Sequence, residues 1–191
     1  RDLPREEDSF LPETATDYVK SKFQSEQAAL ELAAEGVPVV LAHLSAPVGP
    51  WDRVPTVTGR RIVTVLRGKL PSYVCGAINH VAVKDVARGL ILAARRGSPG
   101  RRYLLARVGG NLSRPEFTRM VARAAGIRPP RAGWIAAILG RPRPGPEVPR
   151  SLACDPSRSV RELGLPQTPL EEAFADAVRW FRERGYDRLS T

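Results

Sequence analysis

This 191-residue chain predicts an α/β fold, on two stretches near its start and on the alternation that follows them. Residues 15–35 read as a helix, with Val19, Phe23, Leu30 and Ala34 forming an apolar stripe. The run from Val37 to His43 is continuously apolar, the pattern of a strand buried on both faces of a parallel sheet. A helix feeding directly into such a strand is half of a βαβ unit.

Residues 1–13 are polar and acidic, contain Pro4 and Pro12, and read as a surface loop. Thr14, three residues before Asp17, resembles a capping box with Asp in place of Glu, and Gly36 followed by Pro38 marks the end of that helix. Leu44 to Asp52 is rich in Pro and Gly, and open α/β sheets bind ligands beyond the carboxyl ends of their strands. Trp51, Asp52 and the stretch Thr56 to Arg60 lie at that edge. Trp51, Thr56, Thr58 and Arg60 are therefore candidates for substrate contact. Thr58 to Arg67 predicts a short helix closed by Gly68, Ser72 to Gly76 a short strand, and Asn79 to Val83 another. Asp85 is positioned to cap a helix running to Arg96, ahead of Gly97. Arg102 to Arg107 is again strand-like. Ser113 with Glu116 forms the capping box of a helix through Ala125, ended by Gly126. Residues 126–150 are dense in Pro and Gly and read as a loop carrying one short apolar helix, Trp134 to Leu139. Leu170 to Arg184 is amphipathic, with Leu170, Phe174, Val178 and Phe181 on one face. His80 reads as a structural residue of its strand, His43 as a packing or loop contact, and Trp134 and Trp180 as core anchors.

Composition narrows the function. No apolar run approaches the length of a membrane-spanning helix, so no transmembrane segment is expected. Cys75 and Cys154 cannot make a disulfide framework and have no metal-ligand spacing around them, which suits a reduced, cytoplasmic setting without a metal. The net charge of +10 invites a nucleic-acid reading, but the arginines are spread along the chain without a long run, so no nucleic-acid partner is expected. Lysine is rare, occurring only at positions 20, 22, 69 and 84. Tyr18 and Lys22 stand four residues apart on the first helix, hence on one face. A phenol is a poor proton shuttle at neutral pH, and a neighbouring ammonium favours its phenolate form. The pair is a candidate acid/base unit.

Tyr18-x-x-x-Lys22, Pro47-Val-Gly-Pro50, Pro55-Thr-Val-Thr-Gly59, Val83-Lys-Asp-Val-Ala87 and Arg102-Tyr-Leu104 occur in the order seen in extended short-chain dehydrogenases/reductases. The segments Asp155 to Gly164 and Trp180 to Tyr186 resemble that family's C-terminus. The chain is most similar to the NAD-dependent epimerase/dehydratase group, in its hopanoid-associated sugar epimerase and dihydroflavonol-reductase-like branch. The resemblance implies the C-terminal part of an NAD(P)-binding Rossmann fold with a smaller substrate-binding subdomain. Residues 1–50 would be the last part of the Rossmann domain. Residues 51–191 would be a mixed substrate-binding subdomain with segments returning to its sheet. It implies NAD or NADP as cofactor and hydride transfer at a carbonyl or alcohol carbon of a small molecule, a sugar or sugar-nucleotide-like one. Tyr18 would be the general acid/base, and Lys22 would hold the nicotinamide ribose. His43, Leu44 and Ser45 would border the nicotinamide, in a loop where relatives carry Asn-Pro in place of His43-Leu44. A homodimer through the Tyr18-bearing helix would fit the same pattern. The family's glycine-rich turn is absent, and only Ser9 and Thr14 closely precede Tyr18 in place of its catalytic Ser/Thr. The chain is thus expected to be the C-terminal portion of a longer enzyme, inactive by itself. Segment 127–150, shorter than in relatives, would form part of a substrate lid. The alternatives are a dihydroflavonol-reductase-like ketone reductase, and a non-catalytic dinucleotide-sensing or scaffold member of the fold.

Overall fold

The computed structural model describes residues 3–6, 8, 15–73, 76–130 and 152–188. Helix α1 spans Asp17–Ala34 and leads into strand β1, Leu41–Leu44. Then come β2 (Ala46–Val48), α2 (Val57–Leu66), β3 (Ala77–Ala82), α3 (Val83–Arg96) and β4 (Arg102–Leu105). They are followed by β5 (Asn111–Ser113), α4 (Arg114–Ala125), α5 (Ser157–Leu163) and α6 (Leu170–Glu183). Strands β1 and β4 pair in parallel, with Leu41 opposite Arg102. In a second sheet β2 runs parallel to β3 and β5 antiparallel to it.

Strand β3 is the hinge of the packing. Its residues Ile78 to Ala82 are all buried, and period-2 alternation sends them to two cores. Ala82 joins a core built from α2, α4 and α6 around Ile62, Phe117, Phe174 and Phe181. Val81 joins another with Val86, Tyr103, Leu105 and Leu163. His80 packs against Phe117 and Phe174, at ring-centroid distances of 5.1 and 6.0 Å.

Helix α4 follows its sequence signals closely. Ser113 and Glu116 form both halves of the capping box, and Gly126 ends the helix at φ 64°. The face of α6 made of Leu170, Phe174, Val178 and Phe181 is buried as its spacing predicts, and Trp180 is buried beside it. Gly36, Gly68 and Gly97 close their helices in the expected places.

Other expectations need correction. α1 is capped by Thr16, whose Oγ1 accepts from the Val19 N–H at 3.4 Å; Thr14 lies outside the described residues. No residue of α1 is fully buried: Phe23 and Leu30 are half-buried, and Val19 and Ala34 are exposed. β1 begins at Leu41 rather than Val37, because the Val39 N–H folds back onto the Val37 carbonyl at 2.8 Å. Nor is it buried on both faces, since among the described residues its one ladder partner is β4 and Leu44 is half-exposed. Asp85 caps nothing. α3 starts after Ala82, and the Asp85 carboxylate accepts instead from Thr168 N–H and Oγ1, at 2.7 and 2.9 Å. Ser72 and Tyr73 are not in a strand; Tyr73 donates its hydroxyl to the Leu112 carbonyl. Ser9, Cys75, Trp134 and the rest of 131–150 lie outside the described residues.

Candidate active site

Helix α1 carries a row of side chains at positions 18, 22 and 26, each one turn from the next. At its base Glu26 accepts from Arg102 Nε at 2.6 Å and sits 4.0 Å from His43 Nε2. One carboxylate thus ties α1 to β1 and β4 together. The short connection 35–40 reverses the chain between α1 and β1. At 1.5 Å per residue, Tyr18 then stands about 12 Å beyond Glu26, toward the carboxyl ends of the strands. Tyr18 is 72% exposed. The Lys22 ammonium is 5.6 Å from the centre of its ring, a cation–π distance. Lys22 is exposed, and among the described residues no carboxylate forms an ion pair with it.

The strand end bordering this row is held by a residue the sequence reading passed over. Asn79 is fully buried in β3. Its Oδ1 accepts from Ser45 Oγ at 3.2 Å and from the Arg107 N–H at 3.1 Å. Its Nδ2 donates to the Arg107 carbonyl and to Asn111 Oδ1, at 3.0 and 2.8 Å. One side chain therefore fixes the turn after β1 against the β4–β5 connection. Gly110 permits that approach: a Cβ there would stand 2.4 Å from the His80 carbonyl oxygen. Ser45 is thus fastened, His43 faces α1, and Leu44 is half-exposed. No local signal distinguishes Asn79 from any polar residue at a strand start; only the pairing of distant segments exposes its role.

The third part of the site is the loop from Pro47 to Thr56. Gly49 lies against Val83, where a Cβ would come within 2.4 Å of Cγ1. Trp51 follows at φ 75°, left-handed backbone that a bulky residue rarely adopts, with its side chain 74% exposed. The Asp52 carboxylate accepts from the Thr56 N–H at 2.9 and 3.1 Å and from Thr56 Oγ1 at 2.9 Å. Thr56 Oγ1 in turn caps α2 by accepting from the Gly59 N–H at 3.3 Å. A cavity of about 470 Å³ opens between this loop and α2, walled by Pro47 to Asp52, Thr56 to Gly59, Ile62, Val83 and Phe181. A second, of about 330 Å³, lies across the same loop against Lys84, Ala173 and Asp176. Trp51, Thr56 and Thr58 all line the larger cavity. Arg60 does not; its Nη1 donates to the Pro55 carbonyl at 2.8 Å.

Behind the site, burial lowers the His80 pKa from 6.5 to about 4, so the ring is neutral. Its Nδ1 faces the Ile78 carbonyl at 2.9 Å, which makes that nitrogen the protonated one. Among the described residues no cluster of His, Cys, Asp and Glu could hold a metal ion. No helix among them is long and apolar enough to cross a membrane.

Known proteins resemble this chain in sequence and fold. Residues 1–106, which include Tyr18, Lys22, the Ser45 turn and the Trp51 loop, match the family model for NAD dependent epimerase/dehydratase proteins. The chain is 36% identical over 195 residues to a putative dihydroflavonol 4-reductase of Synechocystis, covering 88% of this chain and 55% of that protein. It resembles a nucleoside-diphosphate-sugar epimerase of known structure from Pseudomonas aeruginosa, with a TM-score of 0.76 and 31% identity, covering 96% of this chain and 62% of that one. It also resembles MoeE5, solved with UDP-glucuronic acid and NAD, at a TM-score of 0.74 and 26% identity, over 96% and 60% of the two chains. The chain spans little more than half the length of the curated relatives it matches. With its helix-flanked parallel pairs, antiparallel β5 and helical subdomain, the fold is Rossmann-like and of the NAD(P)-binding kind. A match over more than half the chain, spanning the Tyr-x-x-x-Lys helix and the loop from Pro47 to Thr56, assigns the chain to the NAD dependent epimerase/dehydratase family.

Proposed function

We propose that the protein carrying this chain transfers a hydride at a carbonyl or alcohol carbon of a sugar-like small molecule, with Tyr18 as the general acid/base. The observation that carries this reading is the exposed Tyr18–Lys22 pair, 5.6 Å from ammonium to ring centre, on a helix pinned by Glu26 to the strands β1 and β4. The donor set fits the nicotinamide-ribose end of NAD or NADP: an exposed ammonium, a phenol, and a fastened turn at His43 to Ser45. NAD or NADP, when bound, supplies or accepts the hydride. Tyr18 gives its hydroxyl proton to a carbonyl oxygen being reduced, or takes one from an alcohol being oxidised. Lys22 orients the ribose hydroxyls and stabilises the charge left on the Tyr18 oxygen. The Asn79 bonds hold the Ser45 turn in place against the β4–β5 connection. Complexes with NAD in relatives such as MoeE5 support the choice of cofactor.

The likeness to a putative dihydroflavonol 4-reductase supports membership of the reductase-like branch. A homodimer through the largely exposed α1 and a cytoplasmic setting belong to the same reading. The test is Tyr18→Phe in the enzyme that carries this chain. Turnover should fall at least ~10²-fold, the usual contribution of a positioned acid/base group, while NAD affinity is kept. Near wild-type turnover would remove Tyr18 from the chemistry. Following NADH separates the two outcomes of hydride transfer: an epimerase shows no net change, a reductase consumes it.

A further inference from the structure

We propose that the cavity of about 470 Å³ beside Trp51 selects an uncharged, ring-bearing substrate group, with Trp51 as its stacking platform and Asp52 as the charge that turns phosphates away. This rests on the hydride-transfer reading only in treating the occupant as substrate. Its volume lies within the range of small-molecule sites. Its apolar walls include Pro47, Val48, Pro50, Val57, Ile62 and Phe181, beside the hydroxyls of Thr56 and Thr58, and among the described residues no Lys or Arg lines it. A sugar nucleotide needs cations or free N–H groups for its pyrophosphate, and helix N-termini commonly provide them. The N-terminus of α2 does open into this cavity, but the Asp52 carboxylate lies over it. The Asp52 carboxylate lies so close over its first turn that a Cβ on Gly59 would be 2.0 Å from Oδ2. The Gly59 N–H itself goes to Thr56 Oγ1. A phosphate arriving here meets a carboxylate where it needs a donor.

Trp51 supplies the positive side of the argument. Left-handed backbone at a bulky residue is costly, and so is an indole that is 74% exposed to water. The second cost is removed when a flat apolar group covers the ring. The Arg184 guanidinium is stacked more closely on Trp180, at 4.4 Å, than on Trp51, at 6.0 Å. It is not among the residues lining the cavity.

Calorimetric titration of the 191-residue chain with α-tetralone, an uncharged bicyclic ketone, and with UDP-glucose is the test. α-Tetralone should bind saturably and UDP-glucose should not. Trp51→Ala should weaken α-tetralone about tenfold. Val57→Arg, at a position 55% exposed on the cavity lip and so harmless to the fold, should do the same. Three results would overturn the proposal: no α-tetralone binding, binding indifferent to both substitutions, or UDP-glucose binding at least as tight. None of these measurements involves NAD or turnover, so their failure leaves the Tyr18 test to stand or fall separately.

Discussion

Lys22 and Arg are not equivalent at this position. The ammonium is a compact charge with three rotatable donors, whereas a guanidinium is a planar fork. Lys22→Arg is therefore expected to leave the enzyme as impaired as Lys22→Ala, measured as kcat with NAD saturating; full recovery by Arg would make Lys22 a generic surface charge. His80 allows a prediction about stability. The unfolded chain takes up a proton near pH 6.5, whereas the native core refuses it until about pH 4. The stabilisation is complete above pH 6.5 and is lost as the pH falls through that window. The loss reaches about 3 kcal/mol by pH 4, from the size of the shift. Denaturant melts from pH 7 to 4 should show this slope in the wild type and its reduction in His80→Gln. Asn79→Ala leaves the Arg107 N–H and Ser45 without their partner, and should cost on the order of 3 kcal/mol of stability.

At the scale of elements, the clearest contrast is between caps made locally and caps made at a distance. The α4 box is local: the Ser113 hydroxyl and N–H donate to Glu116 Oε2, at 2.5 and 2.7 Å, and these bonds hold the Glu116 carboxyl below the ordinary carboxylate range. Ser113→Ala should destabilise by about 1 kcal/mol, the usual loss for a helix N-cap, as read from the thermal midpoint. Helix α5 is instead secured by a residue far away in the chain. Glu6 is buried and accepts from both the N–H and the hydroxyl of Ser159, while Pro4 accepts from the Asp155 N–H. Ser159 Oγ passes the connection on by accepting from the Leu104 N–H in β4. The segment before α1 is thereby stitched to the second core, and α5 carried too short a pattern to be read from sequence. The Asp85–Thr168 pair likewise anchors the connection entering α6 to α3.

Across the whole molecule, the two cores share β3, so damage on either side is transmitted to the site. Phe117 is fully buried at the centre of the larger core, and Phe117→Ala should cost about 3–5 kcal/mol, measurable by denaturant melts. On the proposed reading, Tyr18, Lys22 and the Ser45 turn meet the nicotinamide end of the dinucleotide. The pyrophosphate is ordinarily held by a glycine-rich βα turn, and the sequence contains none. Calorimetry of this chain with NAD should accordingly show no micromolar binding; if it does, other residues of the chain hold the pyrophosphate.

Local spacing was enough to read the α/β class and the run of helices α2, α4 and α6, and it singled out Tyr18 and Lys22 as candidates. Those are properties of spacing: Tyr18 and Lys22 one turn apart, Ser113 and Glu116 at capping distance, Leu170, Phe174, Val178 and Phe181 on one face. Each follows from the 3.6-residue period and needs no partner. The remaining features depend on residues far apart in the chain. Glu26 meets Arg102 and His43, Asn79 meets Ser45 and Arg107, Asp85 gives up a cap for Thr168, and Glu6 is buried under α5. The short strands β2 and β5 belong to the same group, because three residues have no periodicity of their own and become strands only by pairing with β3. Local spacing is a property of the backbone geometry of one segment; a buried polar group finds its partner only when the cores close, since desolvation makes an unpaired one costly.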